Sequence, residues 1–167
     1  MGAIVTTIVD VILLLFFTII AVAAPLLDAQ TFLSPHYFPE ILVDFKLWYA
    51  REFGDYLVVD KPHFFVGLVW LELFLQWPLA LANIYGILAG KSWLHTTCLI
   101  YGVSTFTSMV AILSEIVGSP KSSDKLIKTY APFIGFATLA ILRGLFSQPI
   151  KSTIIGRRPF LNRKKKA

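Results

Sequence analysis

Two polar stripes run through otherwise apolar sequence, and they are where this chain could do chemistry. Glu72, Gln76 and Asn83 recur at i, i+4 and i+11, which places them on one narrow face of a helix. Thr97, Tyr101, Ser104, Thr105, Ser108 and Glu115 share a face of another. Asn83, Ser104 and Thr105 read most simply as groups that join helices by hydrogen bonds. Glu72 does not, because a charged group at bilayer depth costs about 2.5–3.5 kcal/mol on insertion scales and one hydroxyl does not offset that. Glu72 is therefore expected to hold a proton or to hydrogen-bond another acid. The partner expected is Asp28, which follows Pro25-Leu26-Leu27 on the same side as the start of the second apolar stretch. Glu72 lies about ten residues inside that start, roughly 15 Å along a helix. The pairing therefore requires the first helix to end inside the bundle.

Two neighbouring carboxyl groups share a proton and offer one negative charge to a cation. Tyr101, Tyr130 and Phe133 could add aromatic faces and cation–π attraction. Such a site suits an amphipathic molecule with a large apolar body and a polar or cationic head, or acid–base chemistry on a lipid. His36, His63 and His95 have no ligand spacing, and Cys98 is the single cysteine, so neither a metal site nor an internal disulfide is expected. No nucleotide loop or nucleophile elbow is present, and no cofactor is expected.

These residues must be positioned by elements that cross a membrane. Of the 167 residues 56% are hydrophobic and 15% charged, against about a quarter charged in soluble domains, which excludes an ordinary soluble fold. The apolar residues fall in runs that fit spans at about 4–27, 62–89, 93–117 and 129–149, each near the roughly 20 residues a bilayer requires. The expected fold is an all-α membrane protein, a four-transmembrane-helix bundle with a lumenal amphipathic helical segment between spans 1 and 2. That segment runs from Pro39 to Gly54. Ile41, Leu42, Phe45, Trp48, Tyr49 and Phe53 form its apolar stripe, and Glu40, Asp44, Lys46 and Arg51 lie elsewhere. Asp60 is expected to cap the second span, Trp70 and Trp77 to face lipid, and Arg143 to snorkel toward the interface. Glu115 is expected to be solvated, and Asp10 to be interfacial. Asp10 stands where a leader would carry a positive charge, so the first run is expected to stay as a span.

The net charge of +5 is a property of the tail, because residues 1–150 hold 8 basic and 10 acidic groups and residues 151–167 hold 7 basic groups and no acid. This removes the case for a nucleic-acid partner and places both termini in the cytosol under the positive-inside tendency. Lys164 and Lys165 stand fourth and third from the end, as in dilysine retrieval signals of the endoplasmic reticulum. A basic patch drawn to anionic headgroups is the alternative.

Leu26-Leu27-Asp28-Ala29-Gln30, Leu47-Trp48-Tyr49-Ala50-Arg51-Glu52-Phe53-Gly54-Asp55, Glu72-Leu73-Phe74-Leu75-Gln76-Trp77-Pro78, Ile100-Tyr101-Gly102-Val103-Ser104-Thr105 and Thr129-Tyr130-Ala131-Pro132-Phe133 together resemble the EXPERA family, which includes the emopamil-binding sterol isomerases. The likeness is collinear from about residue 10 to the tail, so residues 1–150 read as an EXPERA-like domain followed by a basic cytosolic tail at 151–167. It implies a multi-pass protein of the endoplasmic-reticulum membrane, often a homodimer, with an occluded pocket for a sterol or lipophilic cationic amine. It further implies a role in sterol homeostasis and a sterol-transport membrane protein as partner. By position Asp28 would meet a ligand's amine, and Glu72 would be its hydrogen-bonded partner. Gln76, Tyr101, Ser108 and Tyr130 would line the pocket, while Asp55 would hold the lumenal segment. Ile20 and Ser108 depart from the pattern, which has histidine and threonine there.

Three functions compete. The first is a non-catalytic binding protein for sterols or lipophilic amines. The second is a sterol double-bond isomerase with Glu72 and Asp28 as acid and base; against it, Glu72-x-x-x-Gln76 stands where isomerases of this group carry His-x-x-x-Glu. The third is a trafficking or scaffold protein acting through its tail.

Overall fold

In a computed structural model the chain is described over residues 3–146, and every regular element among these is helical. The order is α1 (Ala3–Leu26), a 3-10 turn (Asp28–Thr31), a second (Pro35–Tyr37), α2 (Glu40–Phe53), α3 (Tyr56–Asp60), α4 (His63–Leu71), a π turn (Glu72–Gln76), α5 (Trp77–Leu88), α6 (Leu94–Gly118) and α7 (Asp124–Leu145). Because α4, the π turn and α5 form one continuous rod, four segments are long and apolar enough to cross a membrane: Ile4–Thr31, His63–Leu88, Leu94–Gly118 and Asp124–Leu145. The expected all-α, four-span fold is thus present. The last helix begins five residues before the expected 129, because the Ser123 hydroxyl accepts from the Leu126 N–H at 3.1 Å and caps it.

Two apolar clusters hold the rods together. Leu13, Phe16, Phe17, Ile20 and Ala24 of α1 pack against Ala80 of α5, Cys98 and Tyr101 of α6 and Ala140 of α7. Leu57, Phe65, Val69, Ile112, Ile116 and Leu126 form the second cluster, nearer the segment that joins α1 to α4. The closest helix pair is α6 with α7. A Cβ added at Gly102 would stand 2.7 Å from the Ile141 nitrogen and 2.8 Å from the Ala137 oxygen, so only glycine permits this approach.

Several local expectations are corrected. Pro62 caps α4, while Asp60 ends α3 and pairs with Lys121 at 2.6 Å. Trp70 is exposed and stacks between Phe32 and Phe74, but Trp77 is turned inward and donates to the Ala21 oxygen at 2.9 Å. Arg143 does not reach for an interface alone. It donates through Nε and Nη2 to the Asp10 carboxylate, linking α1 to α7, since pairing is the cheaper way to keep a guanidinium among helices.

Candidate functional site

The polar stripes meet. Gln76 donates from Nε2 to the Ser104 hydroxyl at 3.0 Å and the Ser108 hydroxyl at 3.3 Å, and its Oε1 accepts from Thr105 at 3.2 Å. The amide is buried and all its main hydrogen-bonding capacity is used between the second and third rods. Asn83, one helix face further on, is fully buried with no partner for either amide atom among the described residues. Asn83 is thus on the stripe but outside the network.

The π turn explains how Glu72 and Gln76 are presented. Pro78 has no N–H and its ring would strike the carbonyl four residues earlier, so the helix widens there and the Trp77 N–H reaches back to the Glu72 oxygen. Both side chains of the widened turn line a cavity of about 220 Å³. Asp28 lines it too, from the 3-10 turn that follows α1. That places the end of α1 within the bundle, as the pairing of Asp28 with Glu72 requires. Among the described residues, no side chain or backbone N–H donates a hydrogen bond to either carboxyl group.

The remaining lining comes from the end of α1, from α2, α3 and α4, from the middle of α6 and from the first half of α7, so the cavity occupies the half of the bundle beneath α2. Tyr101, Ser108 and Tyr130 line it together with Gln76, and Phe65, Val69, Ile112 and Phe133 supply apolar wall. The structure therefore brings Asp28, Glu72, Gln76, Tyr101, Ser108 and Tyr130 to one place. Lys164 and Lys165 lie outside the described residues.

Asp55 braces the segment above. It has no exposure, caps α3 by accepting from Leu57 N and Val58 N at 3.1 and 3.3 Å, and accepts from the Tyr130 hydroxyl at 2.7 Å. Burial pushes its acidity down, raising its pKa, and these three donors oppose the rise. Glu115 is exposed, with the Tyr56 hydroxyl 3.4 Å from its carboxyl group.

Lys46 is the lining residue that the stripe on α2 conceals, while Phe45 and Tyr49 of that stripe line the cavity with it. The spacing reading puts Lys46 on the polar side, yet Leu42, Lys46, Tyr49 and Phe53 follow i, i+4, i+7 and i+11, and that register is the face turned to the bundle. Ile41, Phe45 and Trp48 of the expected stripe are exposed instead. The Lys46 ammonium donates to the Leu27 oxygen at 2.9 Å and to the Thr31 hydroxyl at 3.0 Å. Burial lowers its pKa to about 8, against the opposing pull of the Asp28 charge. Burial and the Asp55 charge raise the pKa of the Tyr49 hydroxyl.

Residues 41–144 match the profile of EXPERA (EXPanded EBP superfamily). Sigma intracellular receptor 2 of Xenopus tropicalis is 30% identical over 135 residues, 73% of this chain and 79% of that protein. The Macaca fascicularis protein of that name is 31% identical over 124 residues, 65% of this chain and 70% of the relative, and the Homo sapiens one is 33% identical over 92 residues, 54% and 52%.

Proposed function

The chain belongs to the EXPERA superfamily, and from that premise we propose that it holds a sterol or a lipophilic amine in its intramembrane cavity, as a receptor-like protein of the endoplasmic-reticulum membrane serving sterol homeostasis or transport. The observation that carries this reading is the cavity's composition. Its wall is mostly apolar, and its ionisable groups are two carboxyls and one ammonium, on Asp28, Glu72 and Lys46, beside the tyrosines Tyr49, Tyr101 and Tyr130. An apolar chamber with a few convergent polar groups suits one amphipathic guest. The relatives named as sigma intracellular receptor 2 support the same reading, and the location is proposed to be carried by the lysine run that includes Lys164 and Lys165. Cytosolic termini belong to this proposal through the basic charge of residues 151–167, and a homodimer and a sterol-transport partner through the family resemblance.

The test is labelling by a photoreactive sterol in native membranes. Adducts should fall on cavity residues such as Val69 and Met109, and Ala23→Phe, which adds a ring from the α1 wall, should reduce them at least fivefold. Equal labelling of both proteins would refute the cavity as the binding place. Replacing Lys164 and Lys165 by serine should move the protein out of the endoplasmic reticulum.

The sterol isomerase reading keeps one observation in its favour, the two carboxyl groups on a single cavity with Tyr101, Tyr130 and Phe133. An acid, a base and aromatic faces to steady a carbocation are what moving a double bond requires. The commitment of Gln76 to Ser104, Thr105 and Ser108 weighs against it, because no second titratable group remains on that turn. Complementation of an isomerase-deficient strain with restored product sterols would establish it over the binding function.

A further inference from the structure

The cavity already contains a cation. Lys46 reaches over the end of α1 and donates to Leu27 O and Thr31 Oγ1, so two of its three ammonium hydrogens are used. Among the described residues the third has no protein acceptor, and the side chain lines the cavity that Asp28 also lines. Part of this arrangement is structural. A helix leaves its last carbonyls unsatisfied at the negative end of its dipole, and Lys46 with Gln30, which donates to Leu26 O at 2.7 Å, closes off that end of α1. The consequence for a ligand is separate. The ammonium sits within electrostatic reach of Asp28, as the charge of Asp28 acts on Lys46 against its burial.

We propose that Lys46 sets the ligand class of this cavity: it supplies Asp28 with an internal counter-charge, so that the site favours a neutral, hydroxyl-bearing sterol over a cationic amine. The inference rests on the binding reading given above and narrows it. An incoming ammonium would be attracted by Asp28 and repelled by Lys46. In an effective dielectric of about 20, two unit cations roughly 6 Å apart repel by the equivalent of a hundredfold in affinity, which cancels the attraction by a carboxylate at similar distance. The amine then loses its hydration without a compensating ion pair. A neutral hydroxyl loses far less, and it can accept from the free Lys46 N–H while donating to a carboxyl group.

A matched pair of probes isolates the head group: cholesterol and 3β-aminocholest-5-ene share one ring system and differ only at the third carbon. Binding of each is measured on the purified full chain in lipid nanodiscs, for the wild type, Lys46→Met, Lys46→Arg and the double variant Lys46→Met/Asp28→Asn. The wild type and Lys46→Arg should bind cholesterol at least tenfold more tightly than the amine. Lys46→Met should raise amine affinity at least tenfold and weaken cholesterol, whose hydroxyl loses a donor, and the double variant should lose the amine gain. A cooperative thermal melt close to that of the wild type shows that Lys46→Met folds; if that variant does not fold, the ranking in Lys46→Arg against the wild type still decides, because a wild type that prefers the amine overturns the proposal. Unchanged amine affinity in a folded Lys46→Met, or a gain that survives Asp28→Asn, also overturns it. If neither steroid binds the wild type or any variant, the binding function itself fails and the proposal with it.

Discussion

Removing the Tyr130 hydroxyl should destabilise the protein measurably while leaving the ring and its packing in place. The hydroxyl donates to Asp55 at 2.7 Å, and Asp55 is wholly buried. A hydrogen bond to a charged partner contributes about 1.5–3 kcal/mol. Asp55 keeps its two backbone donors at 3.1 and 3.3 Å after Tyr130→Phe, so its charge is not abandoned and the middle of that range, about 2 kcal/mol, is expected. For a chain of this size 1 kcal/mol corresponds to roughly 2–4 °C in melting temperature, giving a fall of about 4–8 °C. The assay is thermal unfolding in one fixed detergent, with Asp55→Ala and the double variant completing a cycle. Tyr130→Phe should cost almost nothing once Asp55 is already alanine. The pH dependence follows from linkage. The Tyr130 bond lowers the pKa that burial raises, so the stability it adds is fully present above that pKa and is lost as Asp55 takes up a proton. The deficit of Tyr130→Phe should therefore shrink on acidification. A melting change under 2 °C at neutral pH, or additive single and double variants, would refute the assignment of Asp55 and Tyr130 as one bracing unit.

Lys46, facing Asp28, Asp55 and Lys61, has its pKa lowered to about 8, so it sheds its charge as pH rises through that value. A permanently charged quaternary-ammonium steroid should consequently gain more affinity between pH 7 and pH 9 on the wild type than on Lys46→Met in equilibrium binding, the carboxyls that share the cavity acting alike in both. Asp10→Asn leaves Arg143 unpaired between α1 and α7 and should lower stability by about 1–3 kcal/mol, discounted from a fully buried pair because both side chains keep some exposure. Asp10→Asn with Arg143→Met should recover much of that loss in the same melt. Gly102→Ala places a methyl group 2.7–2.8 Å from the α7 backbone and should cost about 1–3 kcal/mol, seen as a lower melting temperature and a loss of cavity binding through the neighbouring Tyr101.

The fold was legible because a bilayer allows few arrangements. Runs of apolar residues of the right length must be helices, and the last three, joined by short connections, must pack as neighbours. The Gln76 network was legible for a related reason: two polar stripes on adjacent apolar rods have only each other to satisfy. What periodicity could not resolve were contacts between residues distant in sequence. Arg143 and Asp10 lie 133 positions apart, and nothing local to either one announces the other. Lys46 was hidden differently. The segment Pro39–Gly54 carries apolar residues on more than one side, and its bundle face is the one through Leu42, Tyr49 and Phe53, while Ile41 and Phe45 stay exposed. A charge on the buried face of an amphipathic helix reads as polar surface until the partner of that helix is known.

The site also stands where the backbone departs from regularity, and the two facts have one cause. Irregular backbone at membrane depth is tolerated where it is enclosed by protein or lines a cavity, because lipid cannot satisfy the freed groups. Pro25 precedes the 3-10 turn that carries Asp28, and Pro78 follows the π turn that carries Glu72 and Gln76. Each proline frees the carbonyl four residues before it, and each lies beside a turn that lines the cavity. Lys46 and Gln30 then supply donors to the carbonyls at the end of α1. Prolines adjacent to polar residues in Pro25-Leu26-Leu27-Asp28 and Glu72-Leu73-Phe74-Leu75-Gln76-Trp77-Pro78 thus do two things at once: they open the space, and they set the groups that give it an electrostatic preference. Filling either break, for example by Pro78→Ala, should let an α-helical turn replace the π turn and rotate Glu72 relative to Gln76. The hydrogen bonds from Gln76 to Ser104 and Ser108 and the carboxyl group on the cavity could not then both be kept.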